Sequence, residues 1–176
     1  MTLAWNVVGC WIVLGAAYTA RSVALAGFGI DSVIEIFASV IVVWQLKAIK
    51  KDQEQLAERL IGVAFVLLAV YVALQSAIVL YAGFHPRTSS LGIIWLSLTV
   101  MAMLLLANGK GRTGQALGNP VLQREAKVTA VDGMLAGSVL SGIALNALFG
   151  WWWADPLAAL VIVYYGIREG YAALRG

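Results

Sequence analysis

The chain has 176 residues, of which 61% are hydrophobic and only 12% charged, with a formal net charge of +3 and a mean hydropathy of +0.86. That leaves too little polar surface to clothe a water-soluble domain, so the sequence reads as an integral membrane protein. Its single cysteine, Cys10, excludes an internal disulfide and any multi-thiolate zinc site.

In chain order the apolar runs are 3–20, 23–46, 60–82, 90–108, 123–149 and 154–174. Each has about the ~20 residues that span ~30 Å of hydrocarbon as a helix. They are apolar almost all round, whereas barrel strands would be short and alternating. The fold class expected is therefore all-α, a polytopic membrane protein of six transmembrane helices in a single domain over 1–176. The first run lacks a basic leading region and a small-residue cleavage site, so it reads as a retained helix and not as a signal peptide. Met1 falls almost at the membrane edge, as it would in a trimmed chain, and no water-soluble domain is expected after Arg175-Gly176.

The connections set an expected orientation. Lys47, Lys50, Lys51, Arg59, Lys110, Arg112, Arg124, Lys127, Arg168 and Arg175 fall on one side, and only Arg21 and Arg87 on the other. The positive-inside rule then places both termini in the cytoplasm, with a prokaryotic inner membrane as the expected location. The 47–59 segment reads as a solvated interfacial turn. Gly83-Phe84-His85-Pro86 and Gly109-Lys-Gly-Arg-Thr-Gly114 read as turn-rich loops. The second lacks the strand and the Lys-Ser/Thr ending of a phosphate loop, so it is a linker.

Two runs carry acids. Asp31 and Glu35 are four apart, which stacks them on one helical face that Gly27 and Ser39 extend by a turn each way. Acids at membrane depth are costly unless they face protein, water or an ion, so by default they mark an ion path. In the fifth run, Glu125, Val128, Thr129 and Asp132 share a side, and small residues at 133, 137 and 141 allow another helix to approach. Asp31 lies nine residues in from Ser22 and Asp132 nine in from Gln123 at the opposite end. At ~1.5 Å per residue both reach about 13–14 Å deep, near the midplane, so the three acids can meet. Gathered in low dielectric, they repel one another unless protons or a divalent cation neutralise them, and that is a chemical basis for exchanging metal against protons.

Other polar residues have quieter readings. Glu125 sits at the membrane edge between Arg124 and Lys127 and reads first as a surface ion pair. Thr129 is expected to back-bond to its own helix. Asp155 follows three tryptophans and reads as structural, an N-cap within an interfacial aromatic belt. Gln75 and Asn146 read as interhelical hydrogen-bond partners, and Cys10 as a small apolar residue.

Ser22-Val-Ala-Leu followed by Asp31-Ser-Val-Ile-Glu35 resembles the second-helix signature of the cation diffusion facilitator family. The family completes a four-residue site in its fifth helix with His-x-x-x-Asp and an acid three before the histidine. Glu125-Ala-Lys-Val128-Thr-Ala-Val-Asp132 fits that frame, with Val128 in the histidine's place. Gly150-Trp-Trp-Trp-Ala-Asp155-Pro-Leu is similar to the loop into the family's last helix. The likeness runs helix for helix over essentially the whole chain, in the short branch that lacks the cytoplasmic C-terminal domain.

The resemblance implies a divalent metal transporter, expected to work by metal/proton antiport in the direction of efflux, with Asp31, Glu35 and Asp132 as ligands and Thr129, Glu125 and Asn6 as further candidates. With no imidazole at membrane depth the donors are oxygens, which moves the expected cargo from zinc toward manganese or ferrous iron, zinc staying in the set. No prosthetic group and no nucleic-acid partner are expected. The partners expected are the lipid bilayer, metal ions and a second copy, and since many members dimerise through the missing domain, a homodimer here would be built from helices. The alternative is a binding or scaffold subunit that keeps the fold and has lost transport with the histidine. An enzyme is disfavoured, because no serine or cysteine has a histidine at membrane depth to serve as base.

Overall fold

The segments that the sequence marks as apolar are helical in a computed structural model, which describes residues 2–45 and 51–175; side chains are described there except at 2–3, 38–39, 41–45, 51–58, 120–121 and 124–125. The described residues form α1 Thr2–Ala20, α2 Val23–Gln45, α3 Lys51–Ala82, α4 Ser90–Ala116, α5 Pro120–Phe149 and α6 Ala154–Arg175, with no strand among them. Stretches 59–82, 90–116, 126–149 and 154–175 are long and apolar enough to cross a membrane, and Ala4–Ala20 is a shorter apolar helix.

Local chemistry sets the reversals. Arg21 takes a left-handed φ of 52° and closes α1. Ser22 then opens α2, its hydroxyl accepting from the backbone N–H of Leu25 at 3.1 Å. Ser89 does the same for Gly92 at 3.0 Å at the start of α4. Asn119 accepts from the N–H of Leu122 at 3.2 Å, with Pro120 at the first helical position, where its missing N–H costs nothing.

Two segments differ from expectation. The glycine-rich 109–114 stretch is not a linker: α4 runs through it to Ala116, and the turn comes at Gly118, where φ is 59°. The reason is packing. Gly114 is buried against the first turn of α5, a Cβ there would lie 3.0 Å from the Gln123 backbone nitrogen, and the Gln123 amide donates to the Gly114 carbonyl at 3.2 Å. The close seat of α5 outweighs the poor helix propensity of glycine. Residues 51–59, expected in a turn, form the first turns of α3; 46–50 lie outside the described residues.

The helices pack as three pairs, α1 with α2, α4 with α5, and α3 with α6. Contacts of α1 with α4 and of α2 with α5 close the first two pairs into a ring, while the α3–α6 pair leans on α2 and α5. Thus α2 touches α1, α3, α5 and α6, and Ala24 and Leu25 on it are fully buried. Lipid tails are as apolar as leucine, so this assembly rests on close fit and small residues. The α3–α6 seam shows it: a Cβ on Gly170 would lie 2.8 Å from Val66 Cγ2 and 2.9 Å from the Gly62 carbonyl oxygen, and one on Gly166 would lie 3.1 Å from the Phe65 carbonyl oxygen.

Gly170→Ala should therefore destabilise the protein by about 1–3 kcal/mol, the usual cost of overpacking. Thermal unfolding in detergent reads this directly, and an unchanged midpoint would mean that the seam widens freely.

Candidate metal centre

On α2, Phe28, Asp31, Ser32 and Glu35 recur at helical spacing and turn into the ring. From α1 come Trp5, Asn6 and Gly9; from α4 Trp95, Thr99 and Met103, four apart; from α5 Asp132. Together they line a cavity of about 10 Å³, at the lower limit for one water-sized particle. Asp31 is 7% exposed. The Asn6 amide donates to Glu35 Oε2 at 2.7 Å, and Asp132 lines the same cavity from α5. The α6 carboxylate Glu169, exposed to solvent, is within electrostatic reach of Asp31.

The aromatic wall explains the smallness of the cavity. Trp5 stacks on Trp95 with centroids 5.0 Å apart and donates its indole N–H to Thr99 at 3.2 Å. Gly9 permits that stack, since a Cβ there would lie 3.0 Å from Trp95 Nε1. Thr99 and Met103 are buried beside it. Acids thus line a tightly filled, buried centre, where charge interactions are strong.

The three acids named from the sequence line one cavity, but they are not closed around a point: among the described residues no three acid, histidine or cysteine side chains are gathered so as to hold a metal ion. Asn6 serves as a donor to Glu35. Thr129 is 1% exposed and does not line the cavity; beyond any bond to its own helix, its hydroxyl accepts from the Lys110 ammonium at 2.9 Å. Val128, in the histidine's place, is 55% exposed and off the cavity. Gly27 is not part of the polar stripe: it packs on Val72 and Ile162, where a Cβ would lie 3.0 and 3.1 Å away. The side chains of Glu125 and Ser39 lie outside the described residues. Trp5, Trp95, Thr99 and Met103 were not singled out from the sequence; the four-residue repeat 95, 99, 103 was the available signal.

A second polar constellation holds α2 in place. Asp155 is fully buried, and it caps α2, not its own helix. The Ser22 hydroxyl donates to one carboxylate oxygen at 2.5 Å, and the backbone N–H groups of Val23 and Ala24 to the other at 3.0 and 3.4 Å. Negative charge suits the positive end of a helix. Asn146 acts between elements as expected, donating to the Pro86 carbonyl at 2.8 Å.

A helical bundle with membrane-crossing segments and a buried carboxyl cluster inside it defines an integral membrane protein of the ion-handling kind. The model of the cation efflux transmembrane domain matches residues 1–175, and the chain belongs to that family, the cation diffusion facilitators. Among curated relatives it is 30% identical over 123 residues to a Bacillus subtilis (strain 168) protein named cadmium, cobalt and zinc/H(+)-K(+) antiporter, a stretch covering 69% of this chain and 39% of that one. It is 29% identical over 123 residues to the protein of the same name in Bacillus velezensis, covering 69% and 38%. The aligned stretch therefore spans about two-fifths of the length of these relatives.

The anchoring of α2 is testable apart from any transport. Asp155→Ala strands the Ser22 hydroxyl and the Val23 N–H in a buried place, and should cost about 1–3 kcal/mol. A melting temperature equal to that of the native protein would show that the cap contributes nothing.

Proposed function

We propose that the protein carries a divalent metal cation out of a bacterial cell across the plasma membrane in exchange for protons, with Asp31, Glu35 and Asp132 as shared metal ligands and proton carriers. The observation that supports this is that Asp31, Glu35 and Asp132, from two helices, line one small cavity inside the bundle. Carboxyl groups gathered in so small a space repel one another unless protons or a cation neutralise them, and a divalent ion arriving there releases protons, since ligands bind metal deprotonated. Asn6 holds Glu35 in register for either occupant. Exchange then follows from one site serving protons and metal in turn. The excess of lysine and arginine in the connections on the side of the termini supports a cytoplasmic placement for them.

The donors on the cavity wall are carboxyl, hydroxyl and amide groups with the Met103 thioether beside them; the oxygens suit manganese or ferrous iron, while the sulfur keeps softer ions in the set. The relatives' names bring cadmium, cobalt and zinc into the same panel of cargoes. The alternative, a membrane subunit that binds without transporting, is favoured by the open arrangement of the three acids and by Val128 where an imidazole is expected.

Proteoliposomes under an imposed pH gradient separate the two. Native protein should move at least one of manganese, ferrous iron, cobalt, zinc and cadmium, with protons moving the other way. Asp132→Asn should lower that flux by at least about tenfold, the scale of losing one metal-site contact, while leaving the helical content and elution profile unchanged. Undiminished flux in the variant would overturn the site, and folded native protein that moves no ion would favour the binding subunit.

A further inference from the structure

A much larger cavity, about 880 Å³, lies at the end of the bundle where α1 turns into α2. Its floor is one face of α2, with Val23, Ala26 and Ile30 at helical spacing, and α1 and α3 supply its walls. The α3–α4 loop reaches over it and brings Arg87, whose backbone N–H donates to the Ala20 carbonyl at 2.7 Å. That bond ties two turns together and sets Arg87 beside Arg21, which is held in its left-handed conformation at the same rim. These two are the arginines of the turns at this end of the bundle, and both line this one cavity together with His85; the lining contains no acid.

The charge and the depth specify the occupant. Two guanidinium groups at a helix-end rim repel a departing metal ion and suit a phosphate, which guanidinium groups clasp in bidentate fashion. The apolar floor from Val23 to Ile30 descends about 10 Å into the hydrocarbon zone, which a free inorganic anion would leave unfilled. An amphiphile satisfies both parts, its anionic head group answering the arginines and its acyl chain the floor. The volume is in the range of pockets that enclose a small organic ligand. We propose that this cavity is a binding site for an anionic phospholipid, its phosphate between Arg21 and Arg87 and an acyl chain over Val23, Ala26 and Ile30. The site is independent of the transport reading, although Ile30 on its floor immediately precedes Asp31 on the same helix.

The test is native mass spectrometry of the purified full chain in neutral detergent, titrated with dioleoyl phosphatidylglycerol and, separately, with dioleoyl phosphatidylcholine. One phosphatidylglycerol should bind at low concentration, and phosphatidylcholine should bind at least about tenfold more weakly. Arg21→Gln with Arg87→Gln should remove that preference. Ala26→Phe fills the apolar floor without touching either arginine and should also weaken phosphatidylglycerol binding, so the test stands if the double variant fails to fold. Equal binding of the two lipids, native affinity in the double variant, or native affinity in Ala26→Phe would each overturn the proposal. Displacement of the lipid by millimolar inorganic phosphate would likewise overturn it in favour of a simple anion site.

Discussion

Carboxyl groups at the depth of Asp31, Glu35 and Asp132 must be kept from lipid, and the rest of the bundle answers to that constraint. One acid-bearing helix facing hydrocarbon would be unstable; two, turned toward each other, need neighbours to seal the gap. Helix α1 seals one side and contributes the Asn6 amide to Glu35. Helix α4 seals the other with Trp95, Thr99 and Met103, and the Trp5–Trp95 stack joins the two. The α3–α6 pair then covers the outer faces of α2 and α5. Each of these contacts adds packing, but their joint effect is electrostatic: a centre small enough to exclude bulk water makes a proton or a metal ion the natural neutralising partner.

Much of this was legible because helical geometry converts residue counts into distances. The four-residue spacing of Asp31 and Glu35 places them on one face, and equal residue counts from opposite helix ends bring Asp132 to the same cavity. Pairings that depend on which helices are neighbours were not legible. Nothing local ties Asn6 to Glu35, 29 residues away. Asp155 was recognised as a cap, yet the helix it caps begins at Val23, 132 residues earlier, and no spacing rule reaches that far. The glycines of 109–114 were misread for a related reason. Taken alone they weaken a helix, whereas against Gln123 the absence of side chains is what lets α5 start so close to α4. Thr129 shows the limit from the other side, since the Lys110 ammonium that engages its hydroxyl comes from another helix.

The site also departs from the family frame in a consistent direction. Where an imidazole would supply nitrogen, Val128 supplies nothing to the cavity and faces away from it. The inner surface is left with carboxyl groups, an amide, hydroxyl-bearing neighbours and the Met103 thioether, a set without nitrogen from an imidazole. On the proposed reading, discrimination among ions would rest on how far carboxylates can close around them and on the fit of the Trp5–Trp95 wall, more than on a preferred ligand atom.

The cap on α2 has a mechanical side. Asp155 grips the first residues of α2 from the start of α6, so relative motion of these helices at that end is confined to rotation about the grip. Asp31 stands about 12 Å along α2 from that point and Glu35 about 18 Å. Any tilt of α2 about such a pivot is a lever that displaces Glu35 half as far again as Asp31, which spreads or gathers the acids without either side chain changing its rotamer.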